Sequence, residues 1–102
     1  MMDAQFLSSL FSLQGKRVVV TGASSGLGHH FAALLARAGA QVAVAARRAD
    51  KLQALVGELR AAGTQAEAFA MDVSDAASVR QAFANIVQWC GAPDVVINNA
   101  GV

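Results

Sequence analysis

A cluster of small residues follows a short apolar run near the start of the chain. The run Val18–Val20 is β-branched, which is typical of a strand buried on both faces. The small residues after it are Gly22, Ser24, Ser25, Gly26 and Gly28. Apolar residues then recur at helical spacing, so the glycines lie where a strand ends and a helix begins. Free N–H groups and the helix dipole favour an anion at such a junction, and glycine lets a pyrophosphate approach the backbone closely.

Two arginines follow the second apolar run of the chain, Gln41–Ala46. In a dinucleotide-binding fold an acidic residue at the end of this strand holds the ribose hydroxyls, but Ala46 occupies that position here. No carboxylate would then repel a 2′-phosphate, and the guanidinium groups of Arg47 and Arg48 can form charge-assisted hydrogen bonds with phosphate oxygens. We therefore expect NADP(H) to be favoured over NAD(H). The alternative is that both arginines are merely solvated at the start of a helix.

A competing motif overlaps the glycines, because residues 22–26 also satisfy the G-x-S-x-G of the α/β-hydrolases, with Ser24 as the nucleophile. A hydrolase needs an acid and then a histidine downstream of that serine. The histidines of the chain, His29 and His30, fall in the first turn of the following helix, so the order does not fit. We expect one exposed histidine and one at a helix flank, with no metal site, because no cysteine or carboxylate cluster accompanies them.

Four apolar runs alternate with three helical patterns along the chain. The predicted strands cover residues 17–21, 41–46, 66–73 and 94–98, and the predicted helices cover about 26–38, 50–62 and 75–90. Short links between such elements require right-handed crossovers and a parallel sheet. The pattern therefore predicts an α/β fold, the first four strands and three helices of a Rossmann-like doubly wound parallel sheet.

The third predicted helix has a candidate N-cap in Ser74. Its apolar face is expected to consist of Val79, Phe83, Ile86, Val87 and Cys90. Cys90 on this face is interpreted as a buried, inert thiol.

Three segments together resemble the short-chain dehydrogenase/reductase family. Residues 21–28 are similar to the family's Thr-Gly-x-x-x-Gly-x-Gly. Asp72-Val73 matches the Asp-Val pair that lies beside the adenine ring, and residues 98–101 match the family's Asn-Asn-Ala-Gly. The order and spacing also fit, and the resemblance covers nearly the whole chain from residue 15 to 102. By physical chemistry alone, Asp72 and the asparagines could equally satisfy backbone groups at strand ends.

The resemblance implies a cofactor-binding role for several residues. Those placed around the adenosine phosphate and pyrophosphate are Gly22, Ser24, Ser25, Gly26, Leu27 and Gly28. Arg47 and Arg48 would meet the 2′-phosphate. The adenine would lie against Asp72 and Val73, and the ribose near the nicotinamide against Asn99, Ala100 and Gly101.

Members of this family exchange hydride between a nicotinamide and a carbonyl or alcohol, using a Ser and a Tyr-x-x-x-Lys beyond the Asn-Asn-Ala-Gly strand. The chain contains no tyrosine, so no catalytic residue is assigned. We expect it to be the front part of a longer NADP-dependent oxidoreductase. A free-standing nucleotide-binding module is the alternative.

Length and composition bound the remaining possibilities. The chain of 102 residues allows one small domain, which we place at residues 16–102 after an N-terminal arm at 1–15. A net charge of +1 does not favour nucleic acid, and no apolar run approaches the roughly 18 residues of a membrane span. The single cysteine indicates a reducing cytoplasm. We expect the parent to act on a small carbonyl or alcohol and to form a homo-oligomer.

Overall fold

The computed structural model describes residues 13–24 and 26–99. The predictions for Ser25, Ala100, Gly101 and most of the N-terminal arm lie outside these ranges. No helix of the described part is both long and apolar enough to cross a membrane.

A parallel four-stranded sheet forms the centre of the structure. Its strands are β1 (Arg17–Thr21), β2 (Gln41–Ala46), β3 (Ala66–Ala70) and β4 (Val95–Asn98). The strand order is β3-β2-β1-β4, and all three pairings are parallel. The chain therefore moves outward from β1 to β3 and then crosses back to the other side of β1. This order confirms the predicted Rossmann-like doubly wound sheet, with its switch point between β1 and β4.

Three helices cover the two faces of this sheet. They are α1 (Gly26–Arg37), α2 (Gln53–Ala61) and α3 (Ala76–Cys90), and a 3-10 turn at Ala49–Leu52 leads into α2. Residues of α1 and α2 pack in one apolar cluster with Val18 and Val20. Residues of α3 pack in the other cluster with Val19. Because side chains alternate along a strand, the valine run of β1 is buried on both faces, as expected.

The start of α3 differs from the prediction, because Asp75 and not Ser74 is the N-cap. The Oδ1 atom of Asp75 accepts hydrogen bonds from the backbone N–H groups of Ala77 and Ser78, at 3.0 and 3.4 Å. The Ser74 hydroxyl instead donates to Oδ1 of Asp72. A turn closed by the Asp75 N–H and the Asp72 carbonyl, 3.0 Å apart, separates β3 from α3. The third strand therefore ends at Ala70 and not at residue 73.

The apolar face of α3 was correctly predicted except at Val87. Ile86 is fully buried, and Val79, Phe83 and Cys90 pack against the same cluster. Val87 is 47% exposed, because successive helical residues are about 100° apart and this one falls beyond the edge of the buried stripe. Cys90, the last residue of α3, is half-buried and not buried as predicted; its Sγ lies 3.4 Å from the Gly91 carbonyl oxygen, and partial burial raises the pKa of its thiol.

Candidate functional site

The carboxyl ends of the strands open onto a cleft of about 330 Å³. Its walls come from the β1–α1 turn, the segment after β2 and the segment after β3. The predicted site residues that line it are Gly22, Ser24, Arg47, Arg48 and Val73. The structure thus brings together residues that are far apart in sequence at the switch point, where parallel α/β sheets bind ligands.

The turn after β1 is held in place by its neighbours. Gly22 has a φ of 64°, a left-handed backbone conformation that glycine adopts without strain. The N–H of Ala23 donates to the Ala45 carbonyl at 3.2 Å, which ties the turn to β2. The buried Thr21 hydroxyl donates to Oδ1 of Asn98 at 2.9 Å, which ties the end of β1 to β4. The turn is therefore anchored on both sides.

Gly28 allows α1 to pack directly on this turn. A Cβ at position 28 would lie 2.5 Å from the Gly22 carbonyl oxygen and 2.8 Å from the Cα of Ala23. It would also lie 2.9 Å from Nδ2 of Asn99. Two of these neighbours are backbone atoms that cannot rotate away, so only glycine fits here. The tight packing places the start of α1 at the end of β1.

Gly26 is required by neither packing nor backbone conformation. A Cβ there would meet no atom within 4 Å, and its φ is not positive. A Cβ at Gly57 would also meet no atom within 4 Å, but Gly57 lies in the middle of α2. Gly26 is the first residue of α1, and the first turn of α1 carries no acidic residue. The beginning of α1 therefore combines open space at Gly26 with the positive end of the helix dipole, and a pyrophosphate fits this arrangement. Leu27, the next residue, is exposed.

The basic wall of the cleft consists of Arg47, Arg48 and Lys51. Ala46 at the end of β2 is buried and brings no carboxylate into the cleft. The Arg48 Nη2 lies 3.3 Å from the Asp50 Oδ2, and both side chains are exposed. Lys51 was not predicted to have a role in this cleft. No signal in the sequence singles it out, because its spacing of three residues from Arg48 would equally suit a solvated α-helix.

Val73 lines the cleft beyond β3, whereas Asp72, the residue before it, is not among the lining residues. The Oδ1 of Asp72 accepts hydrogen bonds from the Ser74 hydroxyl at 2.6 Å and the Ser74 N–H at 3.0 Å. These bonds lower the pKa of the Asp72 carboxyl, and the positive charge of Arg47 lowers it slightly further against an opposing effect of burial. The carboxylate is therefore ionised at neutral pH. Val73 presents an exposed apolar side chain to the cleft.

Asn99 is buried beneath the β1–α1 turn and is not exposed at the protein surface. Its side chain is buried, and Nδ2 donates to the Gly22 carbonyl at 3.2 Å. The observed role of this side chain is to hold the glycine turn against the end of β4.

Neither histidine lines the cleft that Ser24 borders. His29 Nε2 is 3.3 Å from Oε2 of Glu58 in α2, and His30 is exposed on α1. These positions confirm that one histidine is exposed and the other lies at a helix flank. Within residues 13–24 and 26–99, no group of three or more His, Cys, Asp or Glu side chains is placed to hold a metal ion.

Two further clefts, of about 340 and 550 Å³, lie at the amino ends of the strands. Both are bordered by Gly63 and Thr64. Arg60, which borders the larger one, already donates to the Ala66 carbonyl and to Oε2 of Glu67. Neither cleft combines a helix N-terminus with unpaired cations, so the carboxyl-end cleft is the candidate site despite its smaller volume.

A family model and solved structures both relate this chain to short-chain dehydrogenases. The model of the short chain dehydrogenase family matches residues 16–102. A short-chain type dehydrogenase/reductase from Mycobacterium marinum superposes with a TM-score of 0.88 at 40% identity, covering 99% of this chain and 40% of that one. A metagenomic short-chain oxidoreductase solved in complex with NADP superposes with a TM-score of 0.83 at 42% identity, covering 89% of this chain and 41% of that one.

Curated relatives agree with these structures. Gluconate 5-dehydrogenase from Gluconobacter oxydans is 42% identical over 91% of this chain and 36% of its own length. The chain spans about a third of the length of the curated relatives it matches, 29% and 33% in two of them.

Proposed function

Since this chain belongs to the short chain dehydrogenase family, we propose that its carboxyl-end cleft binds NADP(H) for an oxidoreductase. The reaction is hydride transfer between this cofactor and a small carbonyl or alcohol substrate. One observation carries the proposal: the open start of α1 and the cation Arg47 border the same end of the sheet, with no carboxylate at Ala46. The NADP complex of a similar metagenomic enzyme supports nucleotide binding.

The pyrophosphate lies in front of the first turn of α1 in this proposal. Its oxygens accept hydrogen bonds from backbone N–H groups at the start of α1, and the helix dipole adds favourable charge. Gly26 leaves the space that the phosphate fills. The residues assigned to this part of the cofactor are Gly22, Ser24, Ser25, Gly26, Leu27 and Gly28.

The adenosine half lies across the ends of β2 and β3. Arg47 and Arg48 are assigned to the 2′-phosphate, because both line the cleft and carry positive charge. Asp72 and Val73 are assigned to the adenine, since Val73 supplies an exposed apolar surface and Asp72 an ionised acceptor. Asn99, Ala100 and Gly101 are assigned to the ribose near the nicotinamide.

The cofactor supplies the hydride when it is bound. The 102 residues bind and orient it, and none of them is assigned a proton-transfer role, because the chain contains no tyrosine of the kind the family uses. The second candidate function is a free-standing nucleotide-binding module, which has the same cleft and no catalysis. We also propose a cytoplasmic location, from the single thiol Cys90, and a homo-oligomeric parent.

Titration calorimetry with NADPH tests the binding proposal. Gly26→Val places a branched side chain in the space assigned to the pyrophosphate, and we expect NADPH binding to fall below detection while the circular dichroism spectrum is unchanged. Gly57→Val is the matched control, because position 57 is equally open and lies on α2. NADPH binding that survives Gly26→Val would contradict the placement.

Activity separates the enzyme from the binding module. We expect the 102 residues alone to show no NADPH-dependent reduction of ketones, aldehydes or quinones above background. A native chain extended through a Tyr-x-x-x-Lys segment is expected to reduce at least one of them. Binding without turnover in the extended chain would favour the module.

A further inference from the structure

We propose that Lys51 is a binding residue for the 2′-phosphate of the cofactor, acting with Arg47, and that Arg48 contributes little. This inference rests on the proposed NADP(H) function and goes beyond it, since it exchanges one cation of that assignment for another. The observation behind it is that Arg47, Arg48 and Lys51 line one cleft but differ in their carboxylate partners.

The local backbone explains why Lys51 reaches the cleft. The Lys51 N–H donates to the Arg48 carbonyl at 3.1 Å, which closes the first turn of the 3-10 segment. Arg48 is the extended residue that precedes this segment, and both Arg48 and Lys51 line the cleft at the end of β2. Asp50 lies between them in sequence and is rotated by about 120° from Lys51.

The net charge at each position favours Lys51 over Arg48. The Arg48 Nη2 is 3.3 Å from the Asp50 Oδ2. This exposed ion pair is weak and does not immobilise the guanidinium of Arg48. The negative charge of Asp50 nevertheless offsets the positive charge of Arg48. It also repels a phosphate bound within the Debye length of roughly 10 Å. Neither Arg47 nor Lys51 forms an ion pair with a carboxylate of residues 13–24 or 26–99.

The two ligands used in the test differ only in the 2′-phosphate. Adenosine 2′,5′-bisphosphate carries the 2′-phosphate, and 5′-AMP lacks it, so their affinity ratio isolates the 2′-phosphate from the rest of the site. Neither ligand contains the nicotinamide. Affinities are measured by titration calorimetry in the full chain at one fixed salt concentration, because the contribution of exposed cations depends on ionic strength.

Lys51→Met, Arg48→Met and Lys16→Met each remove one positive charge and keep an aliphatic side chain, whereas Lys51→Arg keeps the charge. For Lys51→Met we expect about a tenfold weaker affinity for the bisphosphate and an unchanged affinity for 5′-AMP, as for the loss of one charge-assisted hydrogen bond. Lys51→Arg should retain most of the affinity. For Arg48→Met we expect a loss of less than about threefold, because its charge is already offset. Lys16→Met is the matched control, since this exposed lysine precedes β1 at the opposite end of the sheet.

The outcomes separate this inference from the function on which it rests. An unchanged bisphosphate affinity in Lys51→Met, with a large loss in Arg48→Met, would overturn the assignment of Lys51 while leaving NADP(H) binding intact. Equal affinity of the unsubstituted protein for the bisphosphate and 5′-AMP would overturn the 2′-phosphate site itself, and the role of Lys51 with it. Equal losses in Lys51→Met and Lys16→Met would show a general charge effect and would also refute a specific contact.

Discussion

The side-chain amide of Asn99 donates a hydrogen bond to the carbonyl oxygen of Gly22 over 3.2 Å. Asn99 is only 8% exposed, so this bond joins the end of β4 to the turn after β1 inside the protein. The same carbonyl oxygen lies where a side chain at position 28 would have to go. Three distant segments thus meet at one point, and the start of α1 is held rigidly before any ligand arrives.

Gly28→Ala should destabilise the protein because of this close packing. Its Cβ would lie 2.5 Å from a backbone oxygen, so the helix or the turn must shift. Overpacking of this kind costs about 1–3 kcal/mol, and we expect chemical denaturation to show a loss in that range. NADPH affinity should fall as well, because the shift moves the N–H groups of α1.

Gly57→Ala is the matched control for this substitution. A Cβ at position 57 meets no atom within 4 Å in the middle of α2. Replacing an exposed helical glycine by alanine should stabilise the protein by about 0.5–1 kcal/mol. Equal effects of the two substitutions on the free energy of unfolding would contradict the packing described for Gly28.

The reversal of cofactor preference is expected from two changes at the end of β2. Ala46→Asp adds a carboxylate that repels a 2′-phosphate, and Arg47→Ala removes a cation that binds it. One charge-assisted bond contributes about 1.5–3 kcal/mol, so the unsubstituted protein should bind NADPH about ten- to a hundredfold more tightly than NADH. The double variant should prefer NADH. Arg37→Ala, at the other end of α1, is the control for the loss of the Arg47 charge alone. Equal affinity for both cofactors in the unsubstituted protein would refute the preference.

The Asp72 carboxyl should titrate below its usual range because Ser74 donates two hydrogen bonds to it. A carboxyl with a lowered folded pKa adds stability above its unfolded pKa of about 3.9, and this stability disappears as the pH falls through the folded pKa. Ser74→Ala removes the hydroxyl donor and should raise the pKa of Asp72, as measured by carbon-detected NMR titration.

Thermal unfolding provides a second test of the interaction between Asp72 and Ser74. The difference in melting temperature between the unsubstituted protein and Ser74→Ala should be present at pH 7 and shrink as the pH falls through the lowered folded pKa of Asp72. Superimposable Asp72 titrations in the two proteins would show that the hydroxyl does not set the pKa.

The outer edge of β4 in the described sheet should make the 102-residue chain self-associate. β4 stands at one end of the described sheet, and Val95 and Val96 on it are 40% and 48% exposed. An unpaired edge with exposed apolar residues is a template for aggregation. We expect light scattering to show association that rises with concentration, and Val96→Lys to reduce it. Monomers that melt cooperatively at every concentration would show that the edge is harmless.

The order of the elements could be predicted from the sequence because burial dictates it. Val18–Val20 face two cores at once, and this requirement leaves a continuous apolar run that is visible without a structure. The helix–strand alternation then fixes the parallel sheet. The bounds of β3 and β4 were predicted less accurately, because most of their residues are half-buried or exposed and their apolar pattern is therefore weaker.

The finer features of the site depend on geometry that residue types do not encode. Asp75 rather than Ser74 caps α3 because its extended backbone points the carboxylate at the helix N–H groups. Lys51 enters the cleft because the chain makes a 3-10 turn before α2, whereas its spacing alone would equally suit a solvated α-helix. The pairing of Arg48 with Asp50 likewise becomes visible only from the side-chain positions.

The location of the bound cofactor can be measured directly by amide chemical-shift changes during titration with NADPH. Binding in the carboxyl-end cleft should produce the largest shifts at Gly22, at residues 26–28 and at Arg47, Lys51 and Val73. The amides around the amino-end clefts, including Gly39, Gly63 and Thr64, should hardly move. Saturable shifts concentrated at Gly63 and Thr64, with none at residues 26–28, would contradict the assignment of the cleft.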